Sequence, residues 1–439
     1  MNEYEQRLKS PGLEIPEILL PKSDNISKWP VIACDQFTRD REYWNRLKAE
    51  IGGAPSALEL VFPEIFLGDT DAAERITCIR SSMSRYLNEG VFREPVRGFI
   101  YVERDTPYFK KRRGLVAAID LEKYEWQPEA RPLIRCTEGT VTERLPPRIN
   151  IRRGAQLELP HVLLLIDDEK DSLLPSLAKR AQKAAPLYNC GLMMNSGNVR
   201  GWLLNSADDM SYIAEYLNEL YSLSINRYTH EGQPFLFAVG DGNHSLACAK
   251  EIWEEYKKSH PGQTDQRCRY ALAEIENIYD PAIQFEPIHR FVSGAGFDEI
   301  HSVLSQLPDF ASRNINNAGE LLTLCAQTCP GGRFGLVSRD RYALIETSAA
   351  GIATACLQPL LDRFTAGKPE IIDYIHDSDE LLRLSNNTDA KSTGILLPPV
   401  QKSGLFDTVA SLGPLPRKSF SMGHACEKRF YLECRRLSG

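Results

Sequence analysis

The chain carries eleven cysteines, but none of them forms a C-x-x-C pair, and no apolar signal segment opens it at MNEYEQRLKSPG. Both absences argue for free thiols in a reducing cytoplasm. The closest metal-like pairs, Cys325 with Cys329, His244 with Cys248 and His424 with Cys426, match no zinc spacing, so no metal centre is expected. Long apolar runs are missing as well. VLLLI after His161 is strand-sized and far short of a bilayer span, which points to a soluble protein. Positive charge is not in excess either: the formal net charge is −7 and the pI about 5.8. An acidic balance of this kind argues against a surface built for nucleic acid. Motifs are lacking too. There is no G-x-x-x-x-G-K-[ST], no G-x-S-x-G and no kinase signature set. Gly294-Ala-Gly296 lacks the third glycine of a dinucleotide fingerprint, and GGRFG at Gly331 runs into a strand rather than a helix. Repeats, low-complexity tracts and Gly/Ser linkers are absent.

What remains is ordinary globular composition, 42% apolar and 25% charged over 439 residues, a length that suits two or three domains. The first thirty residues carry Pro11, Pro16, Pro21 and Pro30 and read as extended segments with turns. VIAC at Val31 is a short strand, and Thr38 is the expected N-cap of a helix holding Tyr43, Trp44 and Leu47. A second amphipathic helix covers 71–90. GFIYVER, GLVAAIDL, RPLIRCT and HVLLLIDD are strands, and GLMMNSGNVRGWLL is a hairpin. After Asn226 come a central strand, the strands RYALAEIENIYD and IQFEPIHRFV, helices over 297–307 and 317–328, and a GRFGLVS/RYALIET hairpin around Asp340. The irregular mixture predicts an α+β (mixed α/β) fold in two lobes with mixed sheets, residues 1–230 and 231–439. The N-terminal strands are left free to pack beside the second lobe.

Pro234–Lys258 organises the rest. FLFAV is a buried strand, Gly240-Asp241-Gly242 a tight turn, and the spacing of Leu246, Ala249, Trp253 and Tyr256 a helix. Such a junction leaves unpaired N–H groups at a helix start, a setting that suits phosphate or carboxylate. Asp241 and His244 add an acid–base pair there. The plainer alternative is that Asp241 or Asn243 caps the helix and Gly242 permits the turn. Upstream, Arg148, Asn150 and Arg152 alternate with Ile149 and Ile151, which predicts a half-buried strand with its arginines roughly 13 Å apart. That face is either a ligand surface or a solvated face with surface ion pairs. Asp167 and Asp168 end a strand and either hold Mg²⁺ or, the preferred reading, cap the next helix.

AVGDGNHSLACA after a strand, TERLPPRINIR upstream, the later PIHR and the closing LPRKSF together resemble DUF1015, a large bacterial and archaeal family catalogued only as a domain of unknown function. Its hallmark, Asp-Gly-His-His-Arg after a strand, is similar to the ParB/sulfiredoxin-like superfamily. One relative there is an ADP-dependent free serine kinase; others hydrolyse CTP or activate a sulfinic acid with ATP. Asp241, Gly242 and His244 match the hallmark, Asn243 replaces its first His, and Ser245 stands where the Arg would be. The missing guanidinium has to be replaced, because Arg makes bidentate phosphate contacts. The resemblance implies a cytoplasmic nucleotide- or phosphate-dependent enzyme, kinase-like, acting on a small metabolite. In that reading Asp241, His244 and Glu143 are catalytic. Gly242, Asn243, Ser245, Arg148, Arg152, His289, Arg290, Arg417 and Lys418 hold phosphate or nucleotide (ADP, ATP or CTP with Mg²⁺). Nothing points to haem, flavin or zinc. The changed Asn243 and Ser245 leave open a non-catalytic nucleotide- or anion-sensing regulator. Partners are then a small-molecule or nucleotide ligand, with no membrane and no nucleic acid.

Overall fold

A computed structural model describes residues 2–228, 233–327, 331–349, 352–368, 371–386 and 391–437. The chain divides into two compact units, Met1–Ile283 with His424–Gly439, and Gln284–Gly423. The division falls after Ile283, not near residue 231, because strand pairing ties the later strands to the earlier ones. The strand Phe237–Asp241 lies between Leu163–Ile166 and Ile134–Cys136, and Tyr270–Asn277 pairs with Arg112–Asp120 and Leu163–Ile166. The Asp241 turn therefore belongs to the first unit, to which the C-terminal residues return.

Ten strands build the first unit's large sheet. In spatial order they are Tyr188–Gly191, Asn198–Leu204, Phe99–Asp105, Arg112–Asp120, Tyr270–Asn277, Leu163–Ile166, Phe237–Asp241, Ile134–Cys136 and Tyr124–Glu125, with Leu13–Glu14 paired to the end of Arg112–Asp120. Three pairings are parallel and the rest antiparallel, so the sheet is mixed, as the sequence suggested. Successive side chains point to opposite faces, and both faces are covered. Phe99, Tyr101, Leu115, Ala117 and Ile119 share one core with Leu173, Leu177, Ile213, Leu217, Leu246 and Trp253. Ile100, Val102 and Val116 share the other with Trp44, Leu47, Ile76, Ile79, Phe430 and Tyr431. Burial on both sides explains why these strands read as near-continuous apolar runs.

The helices around that sheet are α1 (Glu3–Leu8), α2 (Arg41–Ile51), α3 (Ala72–Asn88), α4 (Leu145–Arg152), α5 (Leu173–Ala181), α6 (Ala207–Arg227) and α7 (Asn243–Ser259). Two local expectations are corrected. Asp40, not Thr38, is the N-cap of α2: its carboxylate accepts from the Tyr43 N–H at 2.9 Å, and negative charge at a helix start is favoured by the dipole. Residues 148–152 form part of helix α4 rather than a strand. Pro146 and Pro147 sit in its first turn, where a missing N–H costs nothing and a fixed φ helps. Leu145 and Ile149, four apart, pack on Ala247 and Cys248 of α7, while Ile151 joins the opposite core. Two-residue alternation in so short a stretch fits a helix with two packed sides.

The second unit holds a six-stranded antiparallel sheet. Its order is Ala311–Ile315, Arg341–Thr347, Gly332–Ser338, Ser392–Leu396, His289–Ser293 and Ile372–Ile375. The expected hairpin around Asp340 is present, with Arg339 and Asp340 at φ 48° and 59°, the signature of a type I′ turn. Cys329 lies outside the described residues, and the described cysteines are free thiols. No helix among the described residues is long and apolar enough to cross a membrane. Leu217 is fully buried on α6 while Leu223 on the same helix is 60% exposed. Leu217→Ala is expected to lower the free energy of denaturant unfolding by ~2–5 kcal/mol and Leu223→Ala to change it by less than about 0.5 kcal/mol.

Candidate functional site

The central turn is built by close approach. Phe237, Ala238 and Val239 are fully buried, and the Thr137 hydroxyl donates to the Val239 carbonyl at 2.6 Å. The strand ends with Asp241 opposite Leu163. Gly242 then takes φ +85°, and a Cβ there would come within 3.1 Å of the Val162 backbone, so both conformation and space demand glycine. As N-cap of α7, Gly242 offers no side chain to the helix's first N–H groups. Neither neighbour takes over that role: Oδ2 of Asp241 and Oδ1 of Asn243 are buried and accept no hydrogen bond. The turn thus combines a helix start without a side-chain cap and two buried oxygens that accept no hydrogen bond.

Three segments distant in sequence close on this turn. From the C-terminal segment, the Lys428 ammonium lies 3.5 Å from Asp241 Oδ2. From the strand partner, His161 lies beside Gly242, 3.4 Å from where its Cβ would be. His161 Nδ1 is 2.7 Å from the Tyr431 hydroxyl, which also accepts from the Cys34 N–H at 3.2 Å. Burial raises the Tyr431 pKa, so the phenol keeps its proton. Nε2 of His161 lies 4.0 Å from Asp35 Oδ2. Burial works against ionisation of Asp35. The adjacent His161, a hydrogen bond from Gln36 and the Lys428 charge outweigh it and hold the carboxyl below its usual value. From the third segment, the Val141 N–H donates to His244 Nε2 at 3.3 Å. That bond ties the loop before α4 to the start of α7. Glu143, one short turn on, is exposed.

The other expected residues are placed as follows. Arg148 is held by Glu64 through Nε at 2.6 Å and Nη2 at 2.5 Å, and Arg152 by Glu158 at 2.6 Å. Burial of Glu158 is outweighed by Arg152 and Arg435, which keep its carboxyl below the usual range. Ser245 is half-buried in the first turn of α7. In the second unit, His289 is buried and its Nδ1 accepts from the Leu397 N–H at 3.0 Å. Arg290 is fully buried, bonded to Gln358 at 2.8 Å and stacked over Tyr374. Arg417 and Lys418 are exposed. Asp168 caps α5, accepting from the Ser172 and Leu173 N–H groups at 2.8 and 3.0 Å, as the preferred reading had it. Asp167 pairs with Arg227 at 2.8 Å. No group of three or more His, Cys, Asp or Glu among the described residues could hold a metal.

Sequence reasoning missed Lys428, His161, Asp35 and Tyr431 as neighbours of the turn. The only hint was the concentration of basic residues in the tail and an acid directly after the VIAC strand.

The fold and the turn define a two-unit mixed α/β protein with an amide-lined acidic turn at a strand–helix junction. The family model "Protein of unknown function (DUF1015)" matches residues 17–364, and the chain belongs to that family. No curated protein matches it. Among solved structures, it is similar to a conserved hypothetical protein from Pyrococcus furiosus, at 12% identity over 72% of this chain and 90% of that one, with a TM-score of 0.34. It is similar to a free serine kinase in complex with AMP at 11% identity over 76% and 95% of the two chains, with a TM-score of 0.37. SbnI with a C-terminal truncation from Staphylococcus aureus matches at 9% identity over 72% and 85%, with a TM-score of 0.36.

Burial, reinforced by the Arg290 charge, pushes the His289 pKa down to about 4 from 6.5. The unfolded chain takes up this proton near pH 6.5, and the folded chain refuses it until about pH 4. Stability is therefore complete above pH 6.5 and lost as the pH falls between those values. The expected loss is up to about 3 kcal/mol, read by denaturant unfolding across that window, and His289→Gln should flatten it.

Proposed function

We propose that the first unit binds the phosphates of a nucleotide at the Asp241–Ser245 turn and transfers a phosphoryl group to a small metabolite. The observation that carries the reading is a helix start without a side-chain cap beside two buried oxygens, Asp241 Oδ2 and Asn243 Oδ1, that accept no hydrogen bond. Amides at a helix start favour an anion, whereas orphaned carboxylate and amide oxygens call for a cation or a donor. A metal-bound phosphate meets both needs at once. The motif's resemblance to the ParB/sulfiredoxin-like turn is what brings a nucleotide, rather than free phosphate, into the reading. Mg²⁺ arriving with the nucleotide would neutralise phosphate charge, and Asp241 and Asn243 supply the hard oxygen donors such an ion takes.

Phosphoryl transfer asks the protein chiefly for positioning and charge neutralisation. The acceptor hydroxyl forms its bond to the terminal phosphorus as the bridging oxygen leaves with the nucleotide. The hydroxyl proton passes to a base, for which the exposed Glu143, carried on the loop that His244 anchors, is the candidate. His244 Nε2 already accepts from the backbone, so its part is to hold that loop. The neutral His289 carries no charge to a phosphate.

Isothermal titration with ADP, ATP and CTP, with and without Mg²⁺, is the direct test. Binding of at least one nucleotide is expected, and its absence at millimolar concentration would remove the reading. Asp241→Ala is expected to weaken that binding at least tenfold. Glu143→Gln should leave binding intact and lower turnover by about 10²–10⁴-fold. Asn243 and Ser245, where the hallmark has His and Arg, favour a second reading in which the same turn senses a nucleotide without turning it over. Binding with no product in a coupled phosphate-transfer assay would select it.

A further inference from the structure

We propose that Lys428 is the cation of this site, a phosphate-binding ammonium that replaces the guanidinium missing at Ser245. The inference rests on the reading of the turn as a phosphate site and names the group that completes it.

A phosphate held only by backbone amides beside Asp241 would face a carboxylate, so a positive charge must stand between or beside them. The two arginines of α4 that the sequence offered for this role are already spent. Arg148 gives two of its nitrogens to Glu64 and a third to the Arg144 carbonyl at 2.6 Å, and Arg152 is bound to Glu158. Lys428 is different. It is 6% exposed, yet among the described residues its ammonium has one polar contact, Asp241 Oδ2 at 3.5 Å, and donates no hydrogen bond. An ammonium carries three donors, and this one, unlike Asp241 Oδ2, is not among the enclosed unpartnered atoms, so its donors stay open to a group arriving from solvent. Asp241 Oδ2 is in the complementary position, buried with no donor of its own. The two opposite charges form an ion pair without a hydrogen bond between them, so the ammonium keeps donors for an oxygen-rich group that accepts from it.

The backbone around Lys428 is fixed as though its side chain had to be aimed. Arg104 donates through Nη1 to the Glu427 carbonyl at 2.9 Å and to the Lys428 carbonyl, and through Nη2 to the Cys426 carbonyl at 2.6 Å. Arg112 Nη1 adds a bond to the Glu427 carbonyl at 2.6 Å. On the other side, the Ala33 N–H donates to the Arg429 carbonyl at 2.9 Å, and Phe430–Tyr431 pairs with Val31–Ile32. The backbone on both sides of Lys428 is thus held by hydrogen bonds, and its ammonium lies beside the Asp241 turn, its charge felt at Asp35 as well.

The test is titration of the full chain with ADP and with inorganic phosphate, comparing wild type, Lys428→Met and Lys428→Gln, with melting curves for each. Gln keeps a donor for Asp241 without the charge, and guards against a fold lost to an unpaired carboxylate. Loss of one charge-assisted bond to phosphate should weaken ADP at least tenfold in both variants. A parallel loss for inorganic phosphate places the contact on the phosphate itself; ADP weakened alone ties it to the nucleotide's phosphate chain. Folded variants that bind as tightly as wild type would overturn Lys428 while leaving the turn as the site. Wild type that binds neither probe would overturn both.

Discussion

Two buried guanidiniums hold the C-terminal residues against the large sheet, and the site exists because they do. Arg104 and Arg112, 4% and 5% exposed, take the carbonyls of Cys426, Glu427 and Lys428 as acceptors. Burial, with the neighbouring Arg112 charge, brings Arg104 down to about 9, still charged at neutral pH. Such charges need partners. Arg112 Nε lies 2.9 Å from Glu276, and Arg429 from the returning segment answers Glu274 and Glu433. Replacing a buried ion network by apolar side chains would often cost nothing in stability, but removing one member strands a charge at about 3–5 kcal/mol. The network therefore acts as a register lock. The tail can lie on this sheet in one position, because any slip leaves carboxylates and guanidiniums buried and unmatched.

That register decides what meets the turn. Lys428 and Tyr431 come from the tail, His161 from the strand beside Phe237–Asp241, and Asp35 from the segment that pairs with the tail. Tyr431 bridges two of these, bonded both to His161 and to the backbone at Cys34. Positions more than two hundred residues apart are thus set relative to one another by hydrogen bonds to fixed backbone, not by flexible loops. A site that must place charges within fractions of an ångström gains from such support.

Much of the fold was legible because its causes are local. Buried strands such as FLFAV and GLVAAIDL, the Asp340 hairpin and the amphipathic α6 and α7 follow from run length, turn residues and spacing. The turn itself was legible because Gly242 between a strand and a helix has few other uses. What stayed hidden depends on partners far away in sequence. Arg148 and Arg152 look like free cations until Glu64 and Glu158 are seen to hold them. Ile149 and Ile151 alternate as in a strand, yet the two prolines ahead of them start a helix whose two sides meet different cores. The boundary after Ile283 could not be read because no linker marks it, the division being made by which strands pair. Lys428 was one of several basic residues near the end, and only the Arg104 clamp distinguishes it from Lys418.

Two kinds of departure from good local practice meet in three consecutive residues. Most helix starts gain about 1 kcal/mol from a side-chain cap, and α2, with Asp40, shows that this chain can provide one. At α7, Gly242 has no side chain to cap with, and in the residues on either side, both excellent capping types, Asp241 Oδ2 and Asn243 Oδ1 accept no hydrogen bond, the first facing only the Lys428 charge. Each buried orphan acceptor costs roughly 1–3 kcal/mol. Other helix starts here go without an N-cap side chain, and other buried atoms, both Glu276 oxygens among them, accept no hydrogen bond; what sets this turn apart is that both deficits fall on adjacent residues at the end of a strand. Polar deficits of both signs, donor and acceptor, meet at that point. The group that would relieve them must both accept from amides and an ammonium and satisfy acidic oxygens, which is the chemistry of a phosphate carrying a cation.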